Sequence, residues 1–240
     1  MRNWLERLRS KNVPSVAPNI TLDQVVQRRF TQIAAASFFF VQIGAFDGIS
    51  NDPIYPFVQQ YGWRGVLLEP QQDAFATLKA NYANQPQLTL INAALADRDG
   101  VHDFYRVRDD VAGLPSWSRQ IGSFNLDHLL KHAHGIPEYG ITETIPNIAE
   151  LIRTEPVRCI TFNTLLDEVG VEHVDLLQID AEGYDADIVR MIPFRRVKPH
   201  IIRYEHMHLS RAQQAACIRH LARQGYALGL DYADTIAYRK

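Results

Sequence analysis

Two groups of carboxylates and imidazoles in the second half of the chain could transfer protons or bind a metal. Asp180 and Glu182 follow one apolar segment, and Glu205, His206 and His208 follow a second one. In extended chain, residues two apart point to the same side, which pairs Asp180 with Glu182 and His206 with His208. Side chains of these types can take a proton from a hydroxyl group as a general base.

Three roles are open for these side chains. In the first, Asp180, Glu205 and His206 converge on a cation, and their oxygen-rich ligand set favours Mg²⁺ over zinc. In the second, Asp180 or His206 is a general base that works without a metal. In the third, Glu205 pairs with Arg203 or a backbone amide, and the histidines line a cleft passively.

The loop at 44–48 lies where doubly wound sheets bind nucleotides, between a predicted strand and a predicted helix. Gly44 and Gly48 allow the backbone to approach a ligand closely. The carboxylate of Asp47, about 5 Å from a phosphate, would cost about 3 kcal/mol at an effective dielectric constant near 20. It would attract a cation by a similar amount. The loop therefore favours a ligand with an ammonium or sulfonium group over NAD, unless Asp47 only caps the turn.

Residues at the ends of the next two predicted strands suit an adenosine. Glu69 ends the second strand, 21 residues after Gly48, a spacing at which an acidic side chain accepts hydrogen bonds from both ribose hydroxyls. Pro70 would border the adenine. Asn92 and Ala93 end the third strand, where the amino group of adenine could be recognised.

The elements that must position these residues alternate between short apolar strands and helical periods, which predicts a doubly wound, mostly parallel α/β sheet. Strands are predicted at 38–43, 65–68, 88–93, 174–179 and 200–204, and helices at about 53–61, 72–82, 185–192 and 210–224. Residues 226–230 and 235–238 predict a closing antiparallel pair.

Two parts of the chain fall outside this alternation. Residues 1–37 predict two short helices, the second capped by Thr21, which we interpret as an N-terminal extension to a domain at 38–240. The extension is a cover for the fold or, alternatively, a docking surface for a partner or a second copy. After a predicted edge strand at 101–107, residues 108–155 predict a helical, substrate-facing insertion over the mouth of the sheet.

Three histidines in this insertion raise the question of a zinc site. His128 and His132 are about one turn apart on a possible helix, and His134 follows. Because no cysteine accompanies them, we interpret them as solvated or substrate-facing side chains rather than as zinc ligands.

Several motifs occur in the order found in FkbM-family methyltransferases, which the chain resembles from about residue 38 to its end. They are Ile43-Gly-Ala-Phe-Asp47-Gly48, Leu67-Leu-Glu69-Pro70, Asn92-Ala-Ala94 with Asp97 and Asp99-Gly100, and Asp175-Leu-Leu-Gln-Ile-Asp180-Ala-Glu182-Gly183. The resemblance implies a class I Rossmann-like fold, S-adenosylmethionine as methyl donor, and a hydroxyl acceptor on a sugar or secondary metabolite.

With this resemblance, the sequence predicts an O-methyltransferase. We expect Gly44, Asp47, Gly48 and Glu69, with Pro70, Asn92 and Ala93, to hold the donor. Asp180, Glu182 and His206 should face the acceptor, a small molecule or a glycan. Two alternatives remain. A nicotinamide-dependent oxidoreductase is opposed by Asp47 and by the missing third glycine of a phosphate-binding turn. The other is a non-catalytic nucleotide-binding or scaffolding module.

Composition excludes several other classes. The 240 residues include 25 Lys and Arg against 27 Asp and Glu, a formal net charge of −2, which argues against a nucleic-acid-binding surface or a polybasic membrane anchor. Two cysteines provide neither a disulfide framework nor a four-cysteine metal site. No apolar stretch reaches the ~20 residues of a membrane span. We therefore expect a cytoplasmic protein.

Overall fold

An eight-stranded, mostly parallel sheet and a smaller four-stranded sheet form the framework of the protein. The computed structural model describes residues 14–17, 19–31, 33–134 and 142–239. The strands in this part of the chain are β1 (Val16–Ala17), β2 (Phe39–Ile43), β3 (Arg64–Leu68), β4 (Leu88–Ile91), β5 (Ala94–Leu95), β6 (Gly100–Val107), β7 (Gly122–Ser123), β8 (Ile152–Ile160), β9 (Leu176–Ile179), β10 (Ile201–Glu205), β11 (Ala227–Asp231) and β12 (Asp234–Tyr238).

Most of the helices connect successive strands along the chain. They are α1 (Leu22–Phe30), α2 (Tyr55–Tyr61), α3 (Gln72–Asn81), α4 (Leu126–Lys131), α5 (Ile148–Leu151), α6 (Phe162–Val169), α7 (Asp185–Met191) and α8 (Arg211–Arg223). Short 3-10 turns occur at Ala35–Ser37 and Ser116–Arg119. None of the helices in the described ranges is long and apolar enough to cross a membrane.

The strand order of the large sheet is β4-β3-β2-β9-β10-β12-β11-β1, which confirms the predicted doubly wound fold. Only β12 runs antiparallel to its neighbours, β10 and β11. The chain moves outward from β2 to β3 and β4 on one side, and from β9 to β10 on the other. The order therefore reverses between β2 and β9, and open α/β sheets bind ligands beside such a reversal, at the carboxyl ends of the strands.

Helices cover both faces of the large sheet because its side chains alternate between them. Val41 and Ile43 of β2 pack in one core cluster with residues of α6, α7 and α8, whereas Phe40 packs in the other cluster with α1, α2 and α3. Trp63, just before β3, is fully buried between the rings of Phe38 and Phe57. The two apolar layers hold the strand ends of the large sheet in fixed positions.

The insertion at 108–155 differs from the helical segment that the sequence predicts. It contains α4 and α5, but its last residues begin β8, which pairs antiparallel with all eight residues of β6. The small sheet has the order β5-β8-β6-β7, so β6 lies inside it rather than at its edge. Pro156 and the charged residues around it interrupt the apolar alternation by which a half-buried strand is recognised, so the sequence pattern misses β8.

The N-terminal segment is partly described. The predicted first helix lies in residues 1–13, outside the described ranges, whereas the second is α1, with Thr21 in a capping box. Leu22, Val25 and Val26 of α1 are buried against the large sheet. Arg29 donates from Nε and Nη2 to the Asp175 carboxylate, at 2.9 and 2.8 Å, and fixes α1 to the residue that precedes β9. The boundary between residues 37 and 38 stays a prediction.

We predict that the contact between Arg29 and Asp175 contributes strongly to stability. Asp175 is fully buried, and Arg29→Met would remove its guanidinium partner while keeping an apolar stem. We expect the free energy of unfolding in urea to fall by about 3 kcal/mol, because a buried carboxylate loses its counter-charge. The exposed neighbour is the control: Arg28→Met should change the value by less than about 1 kcal/mol. Equal unfolding midpoints for wild type and Arg29→Met would contradict this role.

Candidate active site

A cavity opens beside the reversal of strand order, at the carboxyl ends of β2, β3 and β9. It encloses about 850 Å³, part of which is open to solvent. We call it the first cavity. Of the predicted donor-binding residues, Gly44, Glu69, Pro70 and Ala93 line it, together with Phe46 of the loop after β2. The sheet topology therefore brings together residues that are far apart in sequence, as the motif spacing predicts.

Glu69 is the most firmly held acidic residue of this cavity. Its two carboxylate oxygens accept hydrogen bonds from the backbone amides of Phe46 and Gln71, each at 2.8 Å. Burial raises the pKa of Glu69 to about 7, although the two amide hydrogen bonds oppose the shift. Phe46 has a φ of 46°, a backbone conformation that non-glycine residues rarely adopt. Glu69 thus holds the strained loop after β2 against the end of β3.

Asn92 and Gly48 do not line the first cavity, but their hydrogen bonds hold backbone that borders it. The Asn92 side-chain amide donates to the backbone carbonyls of Glu69 and Pro70, at 2.8 and 3.1 Å. Gly48 faces α3, and its carbonyl accepts a hydrogen bond from the Tyr82 hydroxyl at 2.8 Å. The side-chain nitrogen of Asn92 is therefore engaged in shaping the backbone after β3, whereas the sequence interpretation directs Asn92 at the ligand.

Asp47 caps its own turn, which was the alternative interpretation of this residue. Its Oδ1 accepts from the amides of Ile49 and Ser50, at 2.9 and 2.7 Å, and its Oδ2 accepts from the Ser50 hydroxyl at 2.6 Å. Although partial burial acts in the opposite direction, these hydrogen bonds lower the pKa of Asp47. Asp47 does not line the first cavity in the described part of the chain. An aspartate two residues before a free backbone amide commonly makes such a turn.

Carboxyl groups other than that of Asp47 give the first cavity its acidic lining. Asp52, Glu69, Asp180 and Glu182 line it, and its described lining includes no lysine, arginine or histidine. Sequence spacing around a glycine loop pointed to Asp47, the nearest acid. Asp52 was missed, although it follows only five residues later and its Oδ2 accepts from Gln42 at 3.0 Å. The predicted negative lining is present, but different residues supply it.

Gly44 joins the loop after β2 to the loop after β9. It has a φ of +79°, and a Cβ atom at this position would lie 1.8 Å from the backbone oxygen of Asp180. No side chain fits there, because the neighbouring atom belongs to the backbone and cannot swing away. The contact places Asp180 beside the loop that Glu69 holds.

A second cavity, of about 1150 Å³ and also partly open to solvent, adjoins the first. Four residues line both cavities: Asn51, Gln120, Asp180 and Glu182. The second cavity continues between the end of β10 and the insertion, where Trp117, His132, Glu205 and His208 line it. The insertion therefore faces this cavity, and Asp180 and Glu182 stand where the two spaces meet.

Asp180 and Glu182 are both held in conditions that favour the protonated acid. Although the side chain of Asp180 is open to the cavities, the surrounding protein removes enough water to raise its pKa, and the charge of Glu182 raises it further. Desolvation likewise raises the pKa of Glu182. Glu182 has a φ of 48°, and its Oε2 lies 2.9 Å from Nε2 of His128. The turn after β9 is thus strained and points Glu182 toward α4.

The structure does not bring Asp180, Glu205 and His206 together as a ligand set. β10 ends at Glu205, and the chain then turns, so that the alternation expected for extended chain fails. His206 is buried away from both cavities, with Nδ1 3.1 Å from the Thr235 hydroxyl. Glu205 lines the second cavity, with Oε2 3.5 Å from Nε2 of His208. His208 takes the place that the sequence interpretation gave to His206.

Two of the three histidines of the insertion, His128 and His132, are buried rather than solvated, and His132 lines the second cavity. His128 on α4 is fully buried, and His132 has 3% of its surface exposed, whereas His134 is exposed. The ring centroids of His128 and His132 lie 4.4 and 5.6 Å from that of His208. The spacing of four residues on one helix was the available sequence signal, but the third histidine comes from a distant turn.

The large sheet is of the doubly wound, Rossmann-like type, in which ligands bind beside the reversal of strand order. A family model for the methyltransferase FkbM domain matches residues 42–228. The chain belongs to the FkbM methyltransferase family. The match confirms the predicted methyltransferase family over the nicotinamide-dependent oxidoreductase.

Solved structures with a similar fold have low sequence identity to this chain. Methyltransferase FkbM from Methylobacillus flagellatus KT is 12% identical with a TM-score of 0.49, over 85% of this chain and 44% of that chain. Precorrin-6y C5,15-methyltransferase from Geobacter metallireducens GS-15 is 11% identical with a TM-score of 0.43, over 94% of each chain.

A third structure is the O-methyltransferase from Bacillus cereus in complex with SAH, 13% identical with a TM-score of 0.39, over 99% of this chain and 90% of that chain. The chain spans less than half the length of the FkbM structure from Methylobacillus flagellatus KT. None of the curated proteins matches the sequence significantly.

We predict that Gly44→Ala abolishes ligand binding in the first cavity, measured by calorimetry with S-adenosylhomocysteine. The new Cβ would collide with the Asp180 backbone and push the loops after β2 and β9 apart. Gly62→Ala is the matched control, since Gly62 also has a positive φ, +62°, but no atom within 4 Å of the added carbon. It should lower stability by about 1 kcal/mol and leave affinity unchanged. Equal affinities for both variants would show that the close contact is dispensable.

Proposed function

We propose that the protein transfers a methyl group from S-adenosylmethionine to a hydroxyl group of a small molecule or glycan. In this proposal, the first cavity holds the donor, and the second cavity holds the acceptor. The methyl group passes between them at the junction lined by Asp180 and Glu182. Membership of the FkbM family supports the reaction class.

The observation that carries the proposal is the acidic lining of the first cavity, in which burial raises the pKa of Glu69 and Asp180 to about 7, so that part of the lining is ionised near neutral pH. Four carboxylates and no basic side chain line its described part. A pyrophosphate within about 5 Å of one carboxylate would cost about 3 kcal/mol, whereas a sulfonium would be attracted by a similar amount. A cationic donor therefore suits this cavity better than a dinucleotide does.

Glu69 supports binding of the adenosine part of the donor. In the proposal, its carboxylate accepts hydrogen bonds from the ribose hydroxyls, while Pro70 and Ala93 border the adenine. Hydrogen bonds to a charged group contribute roughly 1.5–3 kcal/mol. Both Glu69 oxygens already hold backbone amides, so the carboxylate is fixed in place before the ligand arrives.

Methyl transfer is an in-line displacement, in which alignment of the reacting atoms supplies much of the rate. The acceptor oxygen attacks the methyl carbon as the bond from that carbon to sulfur breaks, which leaves a neutral thioether. The acceptor hydroxyl must lose its proton, and in the proposal Asp180 takes it. A raised pKa suits this role, because a general base works best when its pKa is near the working pH. No role is proposed for His206 or for Mg²⁺.

We predict that donor binding weakens in mild acid. If the ionised form of Glu69 binds ribose, a pKa of about 7 makes S-adenosylhomocysteine bind roughly tenfold more weakly at about pH 6 than at about pH 8. The direction follows because protonation, which increases as pH falls through 7, removes an acceptor. Glu69→Gln should bind about tenfold more weakly than wild type near pH 8 and lose most of this pH dependence.

Asp47→Asn is the control for this experiment, because Asp47 caps a turn outside the cavity lining. It should keep the pH dependence of the wild type. A Glu69→Gln variant that binds with wild-type affinity and the same response to pH would contradict the assignment of Glu69 to the ribose.

We predict that Asp180→Asn lowers methyl transfer by roughly 100-fold or more, the range expected for loss of a general base. Transfer is measured with methyl-labelled donor and a panel of sugars, glycans and small metabolites, and the position of the label is determined in the product. Affinity for S-adenosylhomocysteine should change by no more than severalfold. Transfer only to nitrogen or carbon acceptors, or full activity of Asp180→Asn, would overturn the proposed mechanism.

A further inference from the structure

We propose that His128, His132, His208 and Glu182 form a binding site for one divalent metal ion of the zinc type. The four side chains come from α4, the turn after β9 and the turn after β10. One ligand atom from each lies within 4.8 Å of the other three. This set shares no residue with the Asp180–Glu205–His206 site that the sequence suggests.

The distances fit a small, nitrogen-rich site. Oε2 of Glu182 lies 2.9 Å from Nε2 of His128 and 3.6 Å from Nε2 of His208. Two ligands of a tetrahedral zinc ion, each about 2.0–2.1 Å from the metal, are about 3.3 Å apart. A metal would therefore replace the proton between His128 and Glu182 with small movements of the side chains.

His132 is difficult to explain without a ligand. Only 3% of its surface is exposed, yet neither ring nitrogen has a hydrogen-bond partner among the described residues. A buried polar group without a partner costs about 1–3 kcal/mol. Its ring is packed against Trp117 and lines the second cavity beside His208. A metal bound by one ring nitrogen would satisfy this side chain.

The charges around the site also favour a cation. Glu182 and Glu205 both lie within 3.6 Å of Nε2 of His208, and Asp180 lines the same cavity. Lys131, whose ammonium donates to the backbone carbonyl of His208 at 3.4 Å, opposes a cation with one positive charge against these three carboxyl groups. Several carboxylates in a poorly solvated space repel one another, and a divalent ion would relieve that repulsion.

The ligand types select among metals. Imidazole nitrogen suits zinc, iron, cobalt and nickel, whereas Mg²⁺ requires mostly oxygen ligands and retains water. Three imidazoles and one carboxylate therefore favour Zn²⁺ or a similar transition metal. Because Glu182, His132 and His208 line the second cavity, the ion would face the proposed acceptor. A role of this ion in lowering the pKa of an acceptor hydroxyl rests on the proposed function, whereas binding of the ion does not depend on that function.

A second group of possible ligands provides a contrast. His173, Asp175 and His200 also lie close together, at the amino ends of β9 and β10. There the Asp175 carboxylate already accepts the Arg29 guanidinium at 2.8 Å, so a fixed positive charge opposes a metal. His200→Gln is therefore a matched control for substitutions in the proposed site.

The test measures metal binding directly. The full chain is purified without a histidine tag, stripped with EDTA and titrated with Zn²⁺ against a chromophoric chelator, with elemental analysis for stoichiometry. We expect one tightly bound Zn²⁺ per wild-type chain. His132→Gln and His208→Gln should weaken binding by at least roughly tenfold, and His200→Gln should bind like wild type. Mg²⁺ should not compete with Zn²⁺.

Calorimetry with S-adenosylhomocysteine shows whether each variant is folded and tests the donor site independently of the metal. If one histidine variant fails to fold, the metal site is tested with the other variant and with wild type loaded with Co²⁺. Co²⁺ at this site should give a visible absorption band that Zn²⁺ removes. Wild type without tight Zn²⁺ binding, or histidine variants that bind as tightly as wild type, would overturn the metal site. Tight Zn²⁺ binding without S-adenosylhomocysteine binding would overturn the proposed function alone.

Discussion

The concentration of carboxylates at the carboxyl ends of β9 and β10 is the constraint on which the rest of the site depends. Asp180, Glu182, Asp185 and Glu205 all have raised pKa values, primarily because of desolvation, and for Asp180, Asp185 and Glu205 the charges of neighbouring carboxylates add to the shift. A fold that places like charges in a poorly solvated space loses stability unless protons, cations or hydrogen-bond donors compensate. Protons, cations or hydrogen-bond donors must therefore compensate the acidic junction, and the sulfonium group of the proposed methyl donor would be one such partner.

The fold maintains this unfavourable arrangement through rigid backbone contacts on both sides of the junction. Gly44 lies directly against the backbone of Asp180, and Phe46 and Glu182 adopt positive φ values that cost energy. Apolar layers on both faces of the sheet hold β2 and β9 in register, so the loops cannot relax apart. Both of these strained turns border the cavities, which is where a ligand would make use of a fixed geometry.

The sequence predicts the large sheet well, because its strands are continuous apolar segments separated by helical periods. It also identifies Glu69 as a residue of the first cavity, because Glu69 follows a predicted strand at a characteristic distance from Gly48. It fails where contacts between distant segments decide the outcome. The turn after Glu205 separates His206 from His208, which the sequence places on one side. Hydrogen bonds within its own turn hold Asp47 away from the cavity. The sequence misses β8 because Pro156 and the charged residues around it break the apolar alternation of that strand.

The two halves of the site come from different parts of the fold, and this division bears on how donor and acceptor are recognised. The proposed donor side consists of strand ends and tight turns of the large sheet, in which small changes would disturb the core. The proposed acceptor side is built largely from the insertion, where His132, just after α4, and Trp117 and Gln120 from the turn before β7 line the second cavity. Arg106, buried and paired with Asp73 of α3 at 2.7 Å, fixes the small sheet to the large one. Acceptor selectivity can therefore change through the insertion while the acidic junction, which both cavities share, stays in place.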